Sequence, residues 1–385
     1  MENFNFSNPV KILFGKGQIA ALRDELPADA RILLAYGGGS IKRNGVYAQV
    51  MEALTGFHVE EFSGIEPNPH YETCMKAVEQ IQNSHLNFIL AVGGGSVIDA
   101  VKFISAAALF KDGDPWLLLE KHLPVKEAIP FGTVLTLPAT GSEMNSGAVI
   151  TRAADKNKLA FSSEKVYPLF SVLDPSVTFT LPIRQVGNGV VDTFVHVVEQ
   201  YVTYPVNALL QDFFAESILK TLLIEGPKVL ETPDDYDVRA NLMWASTWAL
   251  NGWISCGVPQ DWATHGIGHE LTALYGLDHG QTLAIVLPGV LTVMSEQKAD
   301  KIIRLGEQVF GIYNNMTRDE RIKYTINAVD AFFKEMGVPT HLSDYGLGVE
   351  AVEAVHERLQ KRGWKLGEKH NITADVAKDI LLTRL

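Results

Sequence analysis

Five polar side chains in the second half of the chain have the types and spacing of a metal site. Asp192 and His196 lie four residues apart in a helical pattern, which places both side chains on one helix face about 6 Å apart along its axis. His265 and His269 repeat this spacing, and His279 follows in a glycine-flanked turn. A backbone hydrogen bond is the ordinary explanation for one buried histidine, but several histidines in two apolar segments favour a metal ion.

The donor types restrict both the ion and the reaction class. Imidazole nitrogen and carboxylate oxygen suit a divalent ion such as Fe²⁺ or Zn²⁺, and the sequence does not choose between the two. A structural zinc cage is disfavoured because these segments offer no thiolate. A zinc-peptidase helix is excluded because His269-Glu270 lacks the second histidine of an H-E-x-x-H motif.

Two glycine-rich turns in the first half could bind phosphate groups. Gly37-Gly38-Gly39-Ser40 follows the apolar run RILLAY, and Gly93-Gly94-Gly95-Ser96 follows NFILAV. Glycine allows the backbone to approach a ligand, and the free amides at the next helix N-terminus attract an oxyanion. One such turn alone would indicate only a tight connection, but two at the same sheet edge favour a dinucleotide. Neither matches G-x-G-x-x-G, since Lys42 and Ile98 stand at the last glycine position.

The residues around the first turn favour NADP(H) over NAD(H). Glu60 or Glu61 lies about 20 positions beyond the glycines, where an acidic residue often binds an unphosphorylated ribose. We give this acid less weight than the space left by the three glycines, the hydroxyl of Ser40 and the nearby cations Lys42 and Arg43. Space, a donor and positive charge suit a 2′-phosphate.

Composition and charge exclude several classes of protein. The chain has 385 residues, 46% hydrophobic and 20% charged, which is typical of globular proteins and makes two domains the natural expectation. A net charge of −12 disfavours nucleic acid and anionic membranes as partners. The two cysteines suit a reducing compartment, and we recognise no export signal or membrane-spanning stretch. We therefore expect a cytoplasmic protein.

The pattern of elements changes near the middle of the chain. In residues 1–180, short apolar runs that do not alternate with polar residues follow one another with helical patterns between them, which predicts a parallel sheet with crossover helices. An irregular or hairpin-like stretch separates the runs GTVLTLPAT and LFSVLDP. Residues 181–385 show helical periodicity with few β-branched runs. We expect an α/β, Rossmann-like domain over 1–180, an all-helical domain over 181–385, and a cleft between them.

These motifs together resemble the iron-containing (group III) alcohol dehydrogenases, essentially from end to end of the chain. The likeness is strongest to their NADPH-dependent aldehyde reductases and butanol dehydrogenases. The motifs that carry it are Gly93-Gly94-Gly95-Ser96-x-x-Asp99, Pro138-Ala139-Thr140-Gly141-Ser142-Glu143, Asp192-x-x-x-His196, and His265-x-x-x-His269 with His279-Gly280. The resemblance implies an N-terminal dinucleotide domain, a helical metal domain, a dehydroquinate synthase-like architecture and a homodimer.

The resemblance also implies roles for particular residues. The metal ligands would be Asp192, His196, His265 and His279. His269 would line the substrate pocket as a catalytic residue without binding the metal. The cofactor residues would be Gly37, Gly38 and Ser40 at the adenosine ribose, Gly94, Gly95 and Ser96 at the pyrophosphate, and Asp99, Thr136, Thr140, Ser142, Asn145 and Lys158 further along. Relatives that prefer NAD often carry an aspartate where this chain has Gly38.

Simpler interpretations of the polar cofactor residues remain open. Thr136 and Thr140 could be strand-end or capping residues, and Ser142 could be only a helix N-cap. Lys158, in the polar segment ADKNKLAF, has the surroundings of a solvated loop charge.

The expected activity is the reversible, metal-dependent reduction of small aldehydes to primary alcohols with NADPH. Two related alternatives are an NAD-dependent dehydrogenase of a polyol such as glycerol and a metal-dependent lyase of the dehydroquinate synthase type. The lyase is disfavoured because the segments 188–204 and 260–285 contain no Lys or Arg to hold a phosphorylated substrate. A metal-dependent hydrolase would not need two glycine turns, and a non-catalytic NADP(H) sensor would leave the metal-site pattern unexplained.

Overall fold

The computed structural model describes residues 1–313 and 315–385 as two compact units. One unit comprises Ser7–Leu181 and Asp234–Thr247, and the other comprises Met1–Phe6, Pro182–Pro233 and Trp248–Leu385. The division of the chain into domains over 1–180 and 181–385 stays a prediction of domain organisation. Within the described residues no helix has the length and apolar character needed to cross a membrane.

The first unit contains the strands. They are β1 (Lys11–Phe14), β2 (Arg31–Tyr36), β3 (His58–Phe62), β4 (Phe88–Gly94), β5 (Phe131–Leu137), β6 (Gly147–Arg152), β7 (Asn157–Ser162) and β8 (Phe170–Leu173). Its helices are α1 (Leu22–Glu25), α2 (Ser40–Arg43), α3 (Val46–Ala53), α4 (Tyr71–Ser84), α5 (Gly95–Ala107) and α6 (Leu117–Glu120), with most of α9 (Tyr236–Ala249).

Six of these strands form a parallel sheet in the order β1-β8-β5-β4-β2-β3, and β6 pairs with β7 as an antiparallel hairpin. The predicted parallel sheet is confirmed, and its apolar runs are buried on both faces. Leu33 and Ala35 of β2 belong to the core on one face, whereas Ile32 and Leu34 belong to the core on the other. Burial on both faces explains why these strands lack polar alternation.

The strand order places the two glycine turns side by side. β2 and β4 are hydrogen-bonded neighbours at the centre of the sheet, with Tyr36 opposite Val92. The chain leaves β2 towards β3 on one side and leaves β4 towards β5 on the other. In an open α/β sheet, such a point of diverging connections forms a crevice at the carboxyl ends of the strands. Gly37–Gly39 and Gly93–Gly95 are the connections that border it.

Helices are the regular elements of the second unit in its described residues, as predicted, with one isolated β-bridge between Leu366 and Ile372. Its helices are α7 (Ile183–Tyr201), α8 (Leu209–Glu231), α10 (Ala263–Tyr275), α11 (His279–Val293), α12 (Ser295–Gln308), α13 (Arg318–Glu335), α14 (Val349–Arg362) and α15 (Ala374–Leu382). Helices α7, α10 and α11 pack against one another. Buried Ile267 and Leu271 of α10, with Ile285 and Val286 of α11, belong to one apolar core that holds these helices in place.

Candidate metal centre and dinucleotide site

The predicted ligands come together in the helical unit. Asp192 and His196 lie on α7, His265 lies on α10, and His279 is the first residue of α11. One ligand atom from each of the four lies within 4.8 Å of the others. Asp192 Oδ1 is 3.4 Å from His196 Nδ1, 3.9 Å from His265 Nε2 and 3.7 Å from His279 Nε2.

The chemistry of this donor set fits a divalent cation. A carboxylate oxygen and three imidazoles converge in a largely buried space, where their lone pairs would repel one another without positive charge between them. Separations between donor atoms of this size suit a common ion, and the mixed nitrogen and oxygen set suits iron or zinc.

Asp278 fixes the start of α11, and so the place of His279. Its side chain caps α11 in a capping box with Gln281, whose amide oxygen accepts from the Asp278 backbone N–H at 3.0 Å. The same carboxylate accepts hydrogen bonds from Arg184 at 2.7 Å and from Asn188 at 2.8 Å, both on α7. The side chain of Asp278 therefore caps the N-terminus of α11 and also ties this helix to α7, which carries Asp192.

Gly280 allows the close approach of α11 to α7. A Cβ atom at this position would lie 2.6 Å from the backbone oxygen of Asn188, closer than van der Waals contact permits. The glycine after His279 is thus required by helix packing beside the metal centre.

Glu199 connects α7 to α10 and orients His265. Its Oε1 accepts the backbone N–H of Thr264 at 2.6 Å at the start of α10, where helix amides lack partners within the helix. Its Oε2 accepts the Nδ1–H of His265 in a short hydrogen bond. When Nδ1 carries the proton, Nε2 of His265 has a free lone pair for a metal ion, and this atom faces Asp192.

Burial raises the pKa of Glu199 to about 8, against the lowering effect of the backbone amides of Thr264 and His265. A carboxylate behind a metal-binding histidine increases the basicity of the imidazole and fixes its tautomer. A cation held by His265 would in turn favour the ionised form of Glu199.

A second buried ionic group supports the same helix start. Lys298 on α12, with a side chain 1% exposed, donates to Glu368 at 2.7 Å, to the backbone oxygen of Val202 at 2.9 Å, and to Asp261 in a short contact. Asp261 also accepts the N–H of Ala263 at 2.8 Å, the first residue of α10. Lys298 therefore joins the end of α7 and the start of α10 to α12.

His269 stays outside the group of four. It lies one turn beyond His265 on α10 and is half-buried, and its ring centroid is 6.1 Å from that of His265 and 5.5 Å from that of His279. This placement agrees with a residue beside the centre rather than in it, and its catalytic role stays a prediction.

The glycine turns of the first unit differ from each other in packing. A Cβ atom at Gly95 would lie 2.4 Å from Thr140 Oγ1, and one at Gly94 would lie 3.0 Å from Leu137 Cβ. The second turn is therefore glycine because the end of β5 and the segment after it pack on this turn. A Cβ atom at Gly38 or Gly39 would meet nothing within 4 Å. The first turn therefore borders open space, which leaves room for the adenosine ribose of a dinucleotide.

Three predicted cofactor residues form an internal network around a buried lysine. Lys102 on α5 donates to Ser142 Oγ at 2.8 Å, to Asn145 Oδ1 at 2.8 Å and to the backbone oxygen of Gly147 at 2.7 Å. Ser142 in turn donates to Asp99 at 2.6 Å. Burial lowers the pKa of Lys102 to about 8, against the effect of the Asp99 carboxylate, and burial raises the pKa of Asp99.

Lys158 is buried on β7, so the solvated-loop interpretation is wrong for it. Its ammonium donates to Asn68 Oδ1 at 2.8 Å, and the Asn68 N–H lies 3.4 Å from Ser96 Oγ at the second glycine turn. Thr136 is buried at the end of β5, and Thr140 Oγ1 accepts the N–H of Ser142 at 3.2 Å. The contacts of these predicted residues with a cofactor stay predictions.

Comparison with known proteins identifies the family. Residues 9–175 match the family described as iron-containing alcohol dehydrogenase, and residues 187–382 match the C-terminal part of the Fe-containing alcohol dehydrogenase family. The chain belongs to the iron-containing alcohol dehydrogenases.

The similarity to two relatives extends over almost the whole chain. The chain is 56% identical to the NADPH-dependent aldehyde reductase YqhD of Escherichia coli over 99% of both chains, and it superposes on the crystal structure of E. coli K-12 YqhD with a TM-score of 0.98, covering 100% of this chain and 99% of that one. The crystal structure of NADH-dependent butanol dehydrogenase A from Thermotoga maritima matches with a TM-score of 0.95 at 37% identity, over 100% and 99%. The predicted family and fold class are confirmed.

Sequence reasoning missed several residues of this alcohol dehydrogenase. Glu199 stands three residues after His196 in the same apolar helix. A carboxylate in such a position could have been recognised from the sequence as a group that orients a metal-binding histidine. Lys102 was also readable, as a lysine three residues after Asp99 in an otherwise apolar helix. Asn68 and Lys298 had no such signal, because their partners are distant in the sequence.

We expect Glu199→Gln to weaken metal binding by about 10- to 100-fold while the protein still folds. The amide can retain contacts at the start of α10, but it lacks the charge that makes His265 a better ligand. Competition with a chromogenic chelator measures the affinity. Glu216→Gln is the matched control, because Glu216 is also a buried carboxylate of this unit but bonds Tyr201 and Arg304 instead. Equal loss of affinity in both variants would show that the role of Glu199 is not specific.

Proposed function

We propose that this chain is a metal-dependent oxidoreductase that reversibly reduces aldehydes to primary alcohols with NADPH. The observation that carries the proposal is the convergence of Asp192 with three imidazoles in a chain that also has two adjacent glycine turns. The 56% identity to a protein named NADPH-dependent aldehyde reductase, over nearly the whole length of both chains, supports the same activity and coenzyme.

The proposed cofactor site follows the crevice at the carboxyl ends of β2 and β4. Gly37, Gly38 and Ser40 would hold the adenosine ribose. The pyrophosphate would be held at the N-terminus of α5 by Gly94, Gly95 and Ser96. Open space at Gly38 favours a 2′-phosphate there, and with it NADPH. The remaining residues of the site are proposed to be Asp99, Thr136, Thr140, Ser142, Asn145 and Lys158.

Asp192, His196, His265 and His279 are proposed to hold one Fe²⁺ or Zn²⁺ ion. When bound, the ion supplies Lewis-acid stabilisation of negative charge on the substrate oxygen, and the reduced nicotinamide supplies the hydride. The protein contributes the fixed positions of the four ligands and the carboxylate of Glu199 behind His265. Because charge on the oxygen is balanced in this way, the alcohol direction needs no strong protein base.

His269, or alternatively the nicotinamide ribose, is proposed to exchange the proton of the alcohol with solvent. The His269 ring is half-buried and lies beside the rings of His265 and His279, which supports a role next to the metal centre. An imidazole suits this task because its ordinary pKa lies near neutrality.

Two further parts of the proposal concern the state of the protein in the cell. We infer a homodimer from the resemblance to the family. We also infer a cytoplasmic location, which the two free, buried cysteines support.

Purified protein is expected to oxidise NADPH when butanal is added, and a strong chelator should abolish this activity because the proposed reaction needs the ion. Absorbance of NADPH at its near-ultraviolet band measures the rate, and re-addition of Fe²⁺ or Zn²⁺ should restore it. Full activity after complete removal of metal would contradict a metal-dependent reductase, and hydrolytic or lyase activity without nicotinamide would favour another class.

His269→Ala should lower turnover by about 10²- to 10⁴-fold, the range for loss of a proton-transfer group, and should leave the metal content unchanged. Elemental analysis and steady-state kinetics on the same preparation measure both quantities. His279→Ala is the matched control, because the ring centroid of His279 lies 5.5 Å from that of His269. This variant removes a proposed ligand, so the protein should lose its metal ion. Loss of metal from the His269 variant would make His269 a ligand and would overturn the assignment.

A further inference from the structure

Four side chains form a polar cluster beside the first glycine turn. Tyr36 ends β2, Glu61 lies near the end of the neighbouring β3, Lys42 lies on α2, and Tyr47 lies on α3. We call Tyr36, Lys42, Tyr47 and Glu61 the Glu61 cluster. All four belong to the first unit, and Lys42 stands only two residues after Ser40.

Glu61 is the acceptor at the centre of the Glu61 cluster. Its Oε2 accepts a hydrogen bond from the Tyr36 hydroxyl at 2.5 Å and one from Lys42 Nζ at 3.0 Å. Its Oε1 accepts a hydrogen bond from the Tyr47 hydroxyl at 2.6 Å. The Lys42 ammonium also lies over both tyrosine rings, 5.2 Å and 4.6 Å from their centroids. The two neutral hydroxyl groups of Tyr36 and Tyr47 therefore hold the Glu61 carboxylate beside the Lys42 ammonium.

Both charges of the pair are maintained at physiological pH. Hydrogen bonds from Tyr36 and Tyr47 lower the pKa of Glu61 to about 2, and hydrogen bonds with Tyr36 and Glu61 raise the pKa of Lys42. The Lys42 and Glu61 side chains are 46% and 37% exposed, so water and salt screen their attraction and a stronger anion can compete for the cation.

The place of the Glu61 cluster matters because the coenzymes differ there. NADP(H) carries a 2′-phosphate on the adenosine ribose and NAD(H) does not. A Cβ atom at Gly38 or Gly39 would meet nothing within 4 Å, and Lys42 follows Gly39 by only three residues. Family membership does not decide between the two, since one close relative is named NADPH-dependent and another NADH-dependent.

We propose that Glu61 is a specificity-determining residue whose carboxylate, held by Tyr36 and Tyr47, competes with the 2′-phosphate of NADP(H) for Lys42 and so limits the preference for NADPH over NADH. The inference rests on the proposed dinucleotide-binding function. The phosphate attracts the Lys42 ammonium, and the Glu61 carboxylate weakens this attraction because it already pairs with the same ammonium, whereas an unphosphorylated ribose gains little from Lys42 in either case.

The chain offers a matched control in the adjacent residue. Glu60 belongs to the same strand, and because successive strand residues point to opposite faces its side chain is held on the other side by Gln80 at 2.9 Å and Ser84 at 3.0 Å. Glu60→Gln removes the same charge from the same strand without changing the pairing of Lys42.

Dissociation constants for NADPH and NADH are measured by titrating each coenzyme's fluorescence against wild type, Glu61→Gln, Lys42→Met, the double variant and Glu60→Gln. We expect Glu61→Gln to bind NADPH about three- to fivefold more tightly, as for release of one exposed ion pair, with NADH affinity little changed. Lys42→Met should weaken NADPH binding by about tenfold or more. In the Lys42→Met background the gain from Glu61→Gln should disappear, and Glu60→Gln should match wild type.

Other outcomes overturn the proposal. If Glu61→Gln binds NADPH no more tightly than wild type, or changes both coenzymes equally, then Glu61 only supports the local fold. A gain of the same size with and without Lys42 would show that Glu61 does not act through this lysine. A wild-type protein that binds neither coenzyme would defeat the proposed function as well, which distinguishes the two failures.

Discussion

Convergence of one carboxylate and three imidazoles on a single buried point is the constraint on which the helical unit depends. Such a group is unfavourable without a cation, so the surrounding contacts must hold it together in the folded chain. Each of the three helices that contribute ligands is fixed by a further carboxylate. Asp278 ties the start of α11 to α7, and Glu199 ties α7 to the start of α10. The buried Lys298 then joins this arrangement to α12.

In the α/β unit, the corresponding constraint is open space at the carboxyl edge of the parallel sheet. Its strand order brings the turns after β2 and β4 together, and glycine at these turns permits either close packing or open space. Lys102 then fixes the segment after β5 by bonding Ser142, Asn145 and the backbone of Gly147. A buried lysine with three acceptors and a nearby carboxylate can be stable, whereas removing Asp99 would leave its charge unbalanced and removing a neutral acceptor would leave one of its hydrogen bonds unmade.

Local patterns in the sequence predicted much of this. The spacing of Asp192 and His196 indicated a shared helix face, and apolar runs without alternation indicated a parallel sheet, because both signals depend only on the geometry of one element. The contacts of Glu61 with Lys42 and of Lys158 with Asn68 were not predictable in this way, because each pair joins different elements. Lys158 in particular stands in a polar segment yet is buried, since the hairpin of β6 and β7 carries it inward.

The central claim is that Asp192, His196, His265 and His279 bind one metal ion together. Anomalous diffraction from crystals of the purified protein, recorded at the iron and zinc absorption edges, tests this claim most directly. The account predicts one strong anomalous peak surrounded by these four side chains, with His269 outside the coordination sphere. Metal bound stoichiometrically at another place in the protein, with no peak among the four, would contradict it.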